Sequence, residues 1–319
     1  MRAARIHDYG AAPVLDDVQP LEIGPDEVLV RVRAASLNPL DVKLHSGAMR
    51  DFFPLAFPYT LGTDLAGTVE RAGPLAARWH QGDKVVARLD PTRGGALADF
   101  AVVPAADVAA APTTVSLEDA AGVPTAAGTA WQALFEIAKL KRGETVLVHA
   151  GAGGVGSFAI QLARIAGARV VATASGTGIE LARQLGADQV IDYRSENFAQ
   201  NLSDVDVVLD TIGGETQQRS FGVLRAGGTL VATASPPDGA LAKAHDVTAT
   251  FVFHQSDGSR LGLLLGLLDA GTLKVLVDRK VPLEELSDAF QHQGSGRARG
   301  KVVLSIGLAN RADLPTAGP

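Results

Sequence analysis

Residues 144–156, ETVLVHAGAGGVG, constrain this chain more than any other stretch. Val146, Leu147 and Val148 form an apolar run that reads as a buried strand. Gly151, Gly153 and Gly156 come next in G-x-G-x-x-G register, enclosing Gly154 and Val155. Phe158, Leu162 and Ile165 then recur at helical spacing. In a strand–turn–helix unit of this kind the first glycine permits a tight turn and the second lets a pyrophosphate approach the backbone. The third lets the helix pack closely on the strand. Free N–H groups and the dipole at the helix start attract the anion. A glycine turn by itself is weak as a signal, but its place between a strand and an amphipathic helix points to a dinucleotide.

The residues beyond the turn support that reading. Residues 168–174 (ARVVATA) form a second apolar run, and Ser175 stands at its end. An acid at this place would bond the ribose diol of NAD. Ser175 is neutral and its hydroxyl can donate to a 2′-phosphate, so NADPH is the expected cofactor. Tyr193 and Arg194 come after a third short strand, 189–191, where a ring and a cation can meet the adenosine phosphate. A solvated loop accounts for Arg194 equally well. Two further strand-then-turn units complete the series, 205–210 with Thr211, Ile212 and Gly213, and 228–234 with Thr233. Repeated strands separated by helical stretches predict a doubly wound parallel sheet, with ligands beyond the carboxyl ends of its strands.

A chain of 319 residues with 46% apolar content has material for two cores. Its formal charge of −6, with both signs interspersed, offers no basic stripe for nucleic acid. No apolar stretch approaches a membrane span, and MRAARIHDYG lacks a signal core, so a cytoplasmic protein is expected. The absence of cysteine removes disulfides, thiolate nucleophiles and Cys-based zinc sites together.

Residues 1–120 differ in texture. EVLVRVR at 27–33 alternates, and short β-like runs recur at 64–70, 84–89 and 97–103, which is the pattern of a mainly antiparallel β domain. An Ala-rich helical segment, 117–121 and then 126–139, leads into the nucleotide-binding part, 121–270. A returning segment, 271–319, reads as a strand over 273–281, a helix over 283–291 and a closing strand over 300–306. The tail from Asn310 has little to anchor it.

Six blocks in order carry a family resemblance. They are Asn38-Pro39-Leu40-Asp41-Val42-Lys43, Gly62-Thr63-Asp64-Leu65-Ala66-Gly67, Gly82-Asp83-Lys84-Val85, Gly128-Thr129-Ala130-Trp131, the turn 150–156 and Gly300-Lys301-Val302-Val303-Leu304. With them the chain resembles the zinc-independent quinone oxidoreductase and enone reductase branch of the medium-chain dehydrogenase/reductase superfamily. The resemblance implies a Rossmann domain in the middle, and a GroES-like catalytic domain built from residues 1–120 and completed by the returning segment. It also implies a cofactor in the cleft between them. Zinc-dependent relatives hold their metal with a Cys near the position of Asn38 and a His in a Gly-His-Glu triplet. Here the triplet reads Gly62-Thr63-Asp64, and no metal site is expected.

A metal-free site still moves a hydride, with the nicotinamide supplying the chemistry and the protein the orientation and electrostatics. Asn38 and Lys43 are the expected catalytic donors, Asn38 through an amide N–H that does not titrate and Lys43 through a charge-assisted bond to a developing enolate. The alternative is a structural turn at Asn38-Pro39 and a solvated Lys43. The resemblance also places Asn38 near the nicotinamide ribose, Thr129 on the carboxamide, Phe253 near the nicotinamide and Lys301 within reach of the cofactor. His149 reads as a packing residue, His45 as a loop residue and His254 as the end of a strand. The expectation is therefore an NADPH-dependent reductase of quinones or α,β-unsaturated carbonyls. The alternatives are an enoyl-thioester reductase and a low-turnover NADPH-binding protein with a structural or sensing role. A homodimer is expected, with the apolar run 247–253 suited to a pairing edge.

Overall fold

The apolar run before the glycine turn folds as the strand Thr145–Val148 in a computed structural model that describes residues 1–307. Its three valine and leucine side chains are fully buried. A strand buried on both faces requires cover on both, which parallel sheets obtain from crossover helices. The strand is the third of six, all paired in parallel: Gln189–Asp192, Arg169–Ala174, Thr145–Val148, Val205–Asp210, Leu224–Ala232 and Thr248–Phe251. This is the doubly wound order, and strand succession reverses between Thr145–Val148 and Val205–Asp210, where such sheets take their ligands. Thr248–Phe251 closes one edge of the sheet.

The three glycines of the turn serve different needs. A Cβ on Gly156 would lie 2.2 Å from the carbonyl oxygen of Ala150, and one on Gly151 would lie 2.9 Å from Ala172 Cβ and from Ile160 Cδ1. Close packing therefore requires both. Gly153 is less crowded: a Cβ there would meet only Ala150, with the carbonyl oxygen at 3.2 Å, a tight contact that a shift of a few tenths of an ångström relieves. The tight bend expected of the first glycine is instead made by Ala150, which holds a left-handed φ of 51°.

A seven-stranded sheet forms the second core. Val277–Pro282, Lys301–Ser305, Glu27–Leu37, Asp64–Ala72, Lys84–Arg88 and Val108–Ala110 lie side by side in that order, and Phe100–Pro104 pairs with the first half of Glu27–Leu37. Every pairing is antiparallel except that of Val277–Pro282 with Lys301–Ser305. A small sheet of Val14–Asp17, Arg2–Ile6 and Tyr59–Thr60 adjoins it, and Val30, Leu37, Leu61, Leu65, Leu97 and Val302 share one apolar cluster.

The chain divides into two compact units. One holds Met1–Thr125, Ser256–Thr272 and the chain from Val277; the other holds Ala126–Gln255 and Leu273–Leu276. The sequence reading allotted 256–270 to the nucleotide-binding part, whereas the helix Gly258–Asp269 packs in the first unit. Asp257 caps that helix on the N–H groups of Ser259 and Arg260, and Leu261, Leu264, Leu265 and Leu268 form its buried face. Glycines at 258, 262 and 266 lower helix propensity and mask the pattern in sequence. The strand expected over 273–281 begins only at Val277, because Lys274 belongs to the nucleotide-binding unit and is held there on both backbone groups by the Gln161 amide. The helix expected over 126–139 is α-helical over Pro124–Trp131 and then widens into a π-turn, Gln132–Ile137. The tail from Asn310 lies outside the described residues.

The packing at the turn sets an asymmetric expectation. Gly156→Ala destabilises the fold by about 1–3 kcal/mol, the range for overpacking a tight site, while Gly153→Ala produces a clearly smaller loss. Thermal unfolding of both variants checks this, and equal shifts in Tm would contradict it.

Candidate active site

Strand register assembles a row of polar residues inside the seven-stranded sheet. Ser36 stands opposite Asp64, and Asp64 stands opposite Arg88 on the next strand. Val302 pairs with Leu37, so the preceding residue, Lys301, meets Asn38 just past the end of its strand. Asn38 then starts the helix Pro39–His45, and its own N–H donates to the Asp41 carboxylate at 2.7 Å. Asn38, Asp41, Thr63, Asp64, Arg88 and Lys301 are all buried.

Asp64 is the hub. Its carboxylate accepts from the Asn38 amide at 3.0 Å, from the Thr125 hydroxyl at 2.6 Å and from the Thr125 N–H at 3.2 Å. The Lys301 ammonium lies 3.6 Å from Asp64 Oδ2 and donates to Asn38 Oδ1 at 2.5 Å. Arg88 donates through Nε to the Thr125 hydroxyl and through Nη1 to the Ser256 hydroxyl, each at 3.0 Å. Two acids and two bases thus share one interior volume, joined by neutral hydroxyl and amide groups.

Burial pushes the Asp41 carboxyl up to about 7, and the neighbouring Asp64 charge adds to the effect. Burial likewise lowers Lys301 and Arg88 from their ordinary values, against the opposing attraction of Asp64 and Asp41. Among the described residues, Asp41 Oδ1 and Thr63 Oγ1 have no hydrogen-bond partner.

These residues do not fit a zinc ion. Structural and catalytic zinc sites are built from thiolate, imidazole and carboxylate, and here Asn38 and Asp64 hold an ammonium. A divalent ion within about 4 Å of that ammonium would be repelled by roughly 8 kcal/mol at an effective dielectric of 20. Among the described residues, no group of three His, Asp or Glu side chains is placed as metal ligands would be.

In the other unit the turns at the strand ends are knit together. The Thr211 hydroxyl donates to the His149 carbonyl at 3.0 Å, and the N–H of His149 donates to the Leu209 carbonyl. The N–H of Thr233 donates to the Asp210 carbonyl, and the buried Asp210 carboxylate receives the N–H groups of Ile212 and Gly213. Gly151, Gly153, Gly154, Val155 and Gly156 form the neighbouring turn and the start of the helix Gly154–Ile165. Ser175 and Tyr193, from separate loops, meet through a hydroxyl–hydroxyl bond of 2.9 Å, and Arg194 is exposed beside them. Thr129 is buried on its helix, next to Gly128, whose missing Cβ makes room for the His254 ring. Phe253 is half-exposed and packs edge-on against Phe251.

Of the expected site residues, Asn38 and Lys301 come together directly. Lys43 lies half-buried on the helix that Asn38 starts. His149 is buried, bonded to the Thr173 and Ser220 hydroxyls, and its imidazole is pushed down to about 4 by burial. His45 bonds the Ala11 carbonyl and packs on Phe290. Sequence alone does not mark Ser36, Arg88 or Thr125, and it shows Asp41 and Asp64 only within the family blocks, Asp64 in the triplet that replaces Gly-His-Glu. Two signals were present. Asn38-Pro39-x-Asp41 has the spacing of a helix start, and Asp64 and Arg88 are charges that adjoin the buried apolar runs Leu65-Ala66 and Val85-Val86-Ala87.

Comparison with known proteins agrees with this architecture. Residues 24–113 match the alcohol dehydrogenase GroES-like domain, and residues 185–304 match a domain described as zinc-binding dehydrogenase. The mitochondrial NAD(P)H oxidoreductase RTN4IP1 of Danio rerio is 33% identical over 96% of this chain and 91% of its own. The 2-methylene-furan-3-one reductase of Solanum lycopersicum is 36% identical over 95% of this chain and 79% of its own. The Escherichia coli quinone oxidoreductase, solved in complex with NADPH, superimposes with a TM-score of 0.88 at 26% identity, over 96% of this chain and all of that one. The chain belongs to the medium-chain dehydrogenase/reductase superfamily, among its quinone oxidoreductases and enone reductases, and is an oxidoreductase.

Asp41 generates a pH expectation. Its folded value lies above the ordinary 3.8, so the native state holds more protons than the unfolded chain between about 4 and 7. The stability it contributes is present at low pH and is lost as pH rises through about 7. Asp41→Asn cannot ionise and keeps an acceptor for the Asn38 N–H, so it gains on the wild type as pH rises, by at most ~1.4 kcal/mol per unit. Urea unfolding of both proteins from pH 4 to 8 measures the difference; a gap that closes with rising pH would contradict it.

Proposed function

We propose that the protein is an NADPH-dependent, zinc-independent reductase that delivers a hydride to a quinone or an α,β-unsaturated carbonyl. The observation that carries this reading is the Lys301 ammonium bonded to Asn38 beside Asp64. With a fixed side-chain cation in this donor set, activation of a substrate oxygen falls to hydrogen-bond donors. Quinones and enones suit such a site, because their acceptor positions are electrophilic without a Lewis acid.

The residues present fit the cofactor. The N–H groups of the turn from Gly151 to Gly156 would hold the pyrophosphate, and Gly153, which is less crowded than Gly151 and Gly156, would let it approach. The Ser175–Tyr193 hydroxyl pair and Arg194 would hold a 2′-phosphate, with no acid at Ser175 to repel it. Thr129, Thr211, Ile212, Thr233 and Phe253 complete the assignment on the cofactor side, while Lys301, whose ammonium is bonded to Asn38, serves it only through that residue. When bound, the reduced nicotinamide supplies the hydride. Asn38 and Lys43 stabilise the charge that develops on the substrate oxygen, Asn38 through a neutral N–H and Lys43 as a cation able to give up a proton.

A single panel tests the proposal: loss of reduced-nicotinamide absorbance with quinones, enones and enoyl-thioesters, using each cofactor in turn. We expect turnover with a quinone or enone and tighter binding of NADPH than of NADH. Gly153→Val should stay folded and lose cofactor binding, and Asn38→Ala should lower kcat by about 10²–10³, the cost of removing an oxyanion donor. Enoyl-thioesters as the sole substrates, or a preference for NADH, would overturn the substrate and cofactor assignments respectively.

The same reading extends to a cytoplasmic homodimer. Thr248–Phe251 is an outer strand of the parallel sheet and suits pairing with a second copy. No helix among the described residues is long and apolar enough to cross a membrane. Light scattering at micromolar concentration should give the mass of two chains, and a monomer would reject the pairing.

A further inference from the structure

The side-chain amide of Asn38 has an acceptor end and a donor end, which half a turn about its last bond would exchange. Both ends are occupied, one by an ammonium and the other by a carboxylate. The Lys301 ammonium donates to Oδ1 at 2.5 Å, and the Asp64 carboxylate accepts from Nδ2 at 3.0 Å. The reversed amide would point N–H at an ammonium and C=O at a carboxylate, in an interior where water screens little. Neither charge can step aside. Asp64 is also held by the Thr125 hydroxyl and N–H, and Lys301 sits on a strand paired on both sides.

We infer that Lys301 is a positioning residue that, with Asp64, locks the Asn38 amide so that Asn38 offers a ligand only an N–H. Lys301 caps Oδ1 and Asp64 takes one hydrogen of Nδ2, which leaves the second Nδ2 hydrogen. The group that Asn38 recognises is therefore an acceptor oxygen, such as a carbonyl, enolate or ribose oxygen. Lys301 itself is only 2% exposed, so it acts through Asn38. The inference rests on the proposed function only in taking Asn38 as the donor to a reacting or cofactor oxygen. The lock comes from the unit's own geometry.

The test combines two readouts. In protein labelled with ¹⁵N at asparagine, the Asn38 side-chain amide should flip slowly in the wild type and rapidly in Lys301→Met. In steady-state kinetics on any acceptor the wild type reduces, Lys301→Met should lower kcat/KM by between about 10- and 100-fold, as misplacement of a catalytic group does. Lys301→Gln, which retains a neutral donor, should recover part of the loss. In the Asn38→Ala background Lys301→Met should add little, because residues that act as a unit are not additive. Fast flipping in the wild type, or fully additive losses, would overturn the inference. If Lys301→Met does not fold, the wild-type flip rate and Lys301→Gln decide it. A wild type that reduces none of the acceptors would defeat the functional reading, while the flip rate would still decide the lock.

Discussion

Asp64 is a carboxylate with no exposed surface, set in an interior strand of a β-sheet. The penalty for taking such a group out of water is several kcal/mol even after relaxation, so its neighbours must answer the charge. Asn38, Thr125 and Lys301 do so, each from a different part of the chain. This requirement explains why the chain returns. Lys301–Ser305 closes on Glu27–Leu37 only after the whole nucleotide-binding segment has been made, and it brings the ammonium that Asp64 lacks until then. Arg88 adds a second constraint by bonding Thr125 and Ser256, the residues of this unit that flank Ala126–Gln255. Removing one partner of a buried ion pair typically costs about 3–5 kcal/mol, so the polar row is a structural element as well as a chemical one.

The two units solve opposite problems. The nucleotide-binding unit must keep a space clear, and it does so by crowding everything around that space. Gly151 and Gly156 are pressed against neighbouring backbone and side chains, Ala150 holds a left-handed conformation, and Gly153 is less crowded than either glycine. The other unit fills its interior with charge and holds that charge still. Its donors are fixed by strand register, by a helix start at Asn38 and by a carboxylate with several hydrogen bonds. Such prior organisation is what the donor role proposed for Asn38 would require, since preorganised donors stabilise developing charge without reorganising.

Much of the fold was legible in the sequence because its signals are local. The run before Gly151, the recurring strand-then-turn units and the alternation at 27–33 each depend on neighbours a few residues apart. The helix Gly258–Asp269 was not legible, since its burial pattern is carried by four leucines interleaved with three glycines. Asn38 was found from its motif, but its partners were not. Asp64 and Lys301 bond it across strand pairings that span the chain, and a charge beside an apolar run shows only that some partner exists. Lys43 stood out because it lies within the motif, whereas the cation bonded to Asn38 comes from 263 residues away.

The central claim is that an internal ammonium is held on Asn38 beside Asp64, and that the reduction proposed for this protein needs no metal ion. The most direct measurement is NADPH-dependent turnover before and after exhaustive dialysis against a zinc chelator, with metal content determined on the same samples and zinc then restored. The account predicts an unchanged rate and no stoichiometric zinc at any stage. Loss of activity on chelation, recovered when zinc is returned, would contradict it.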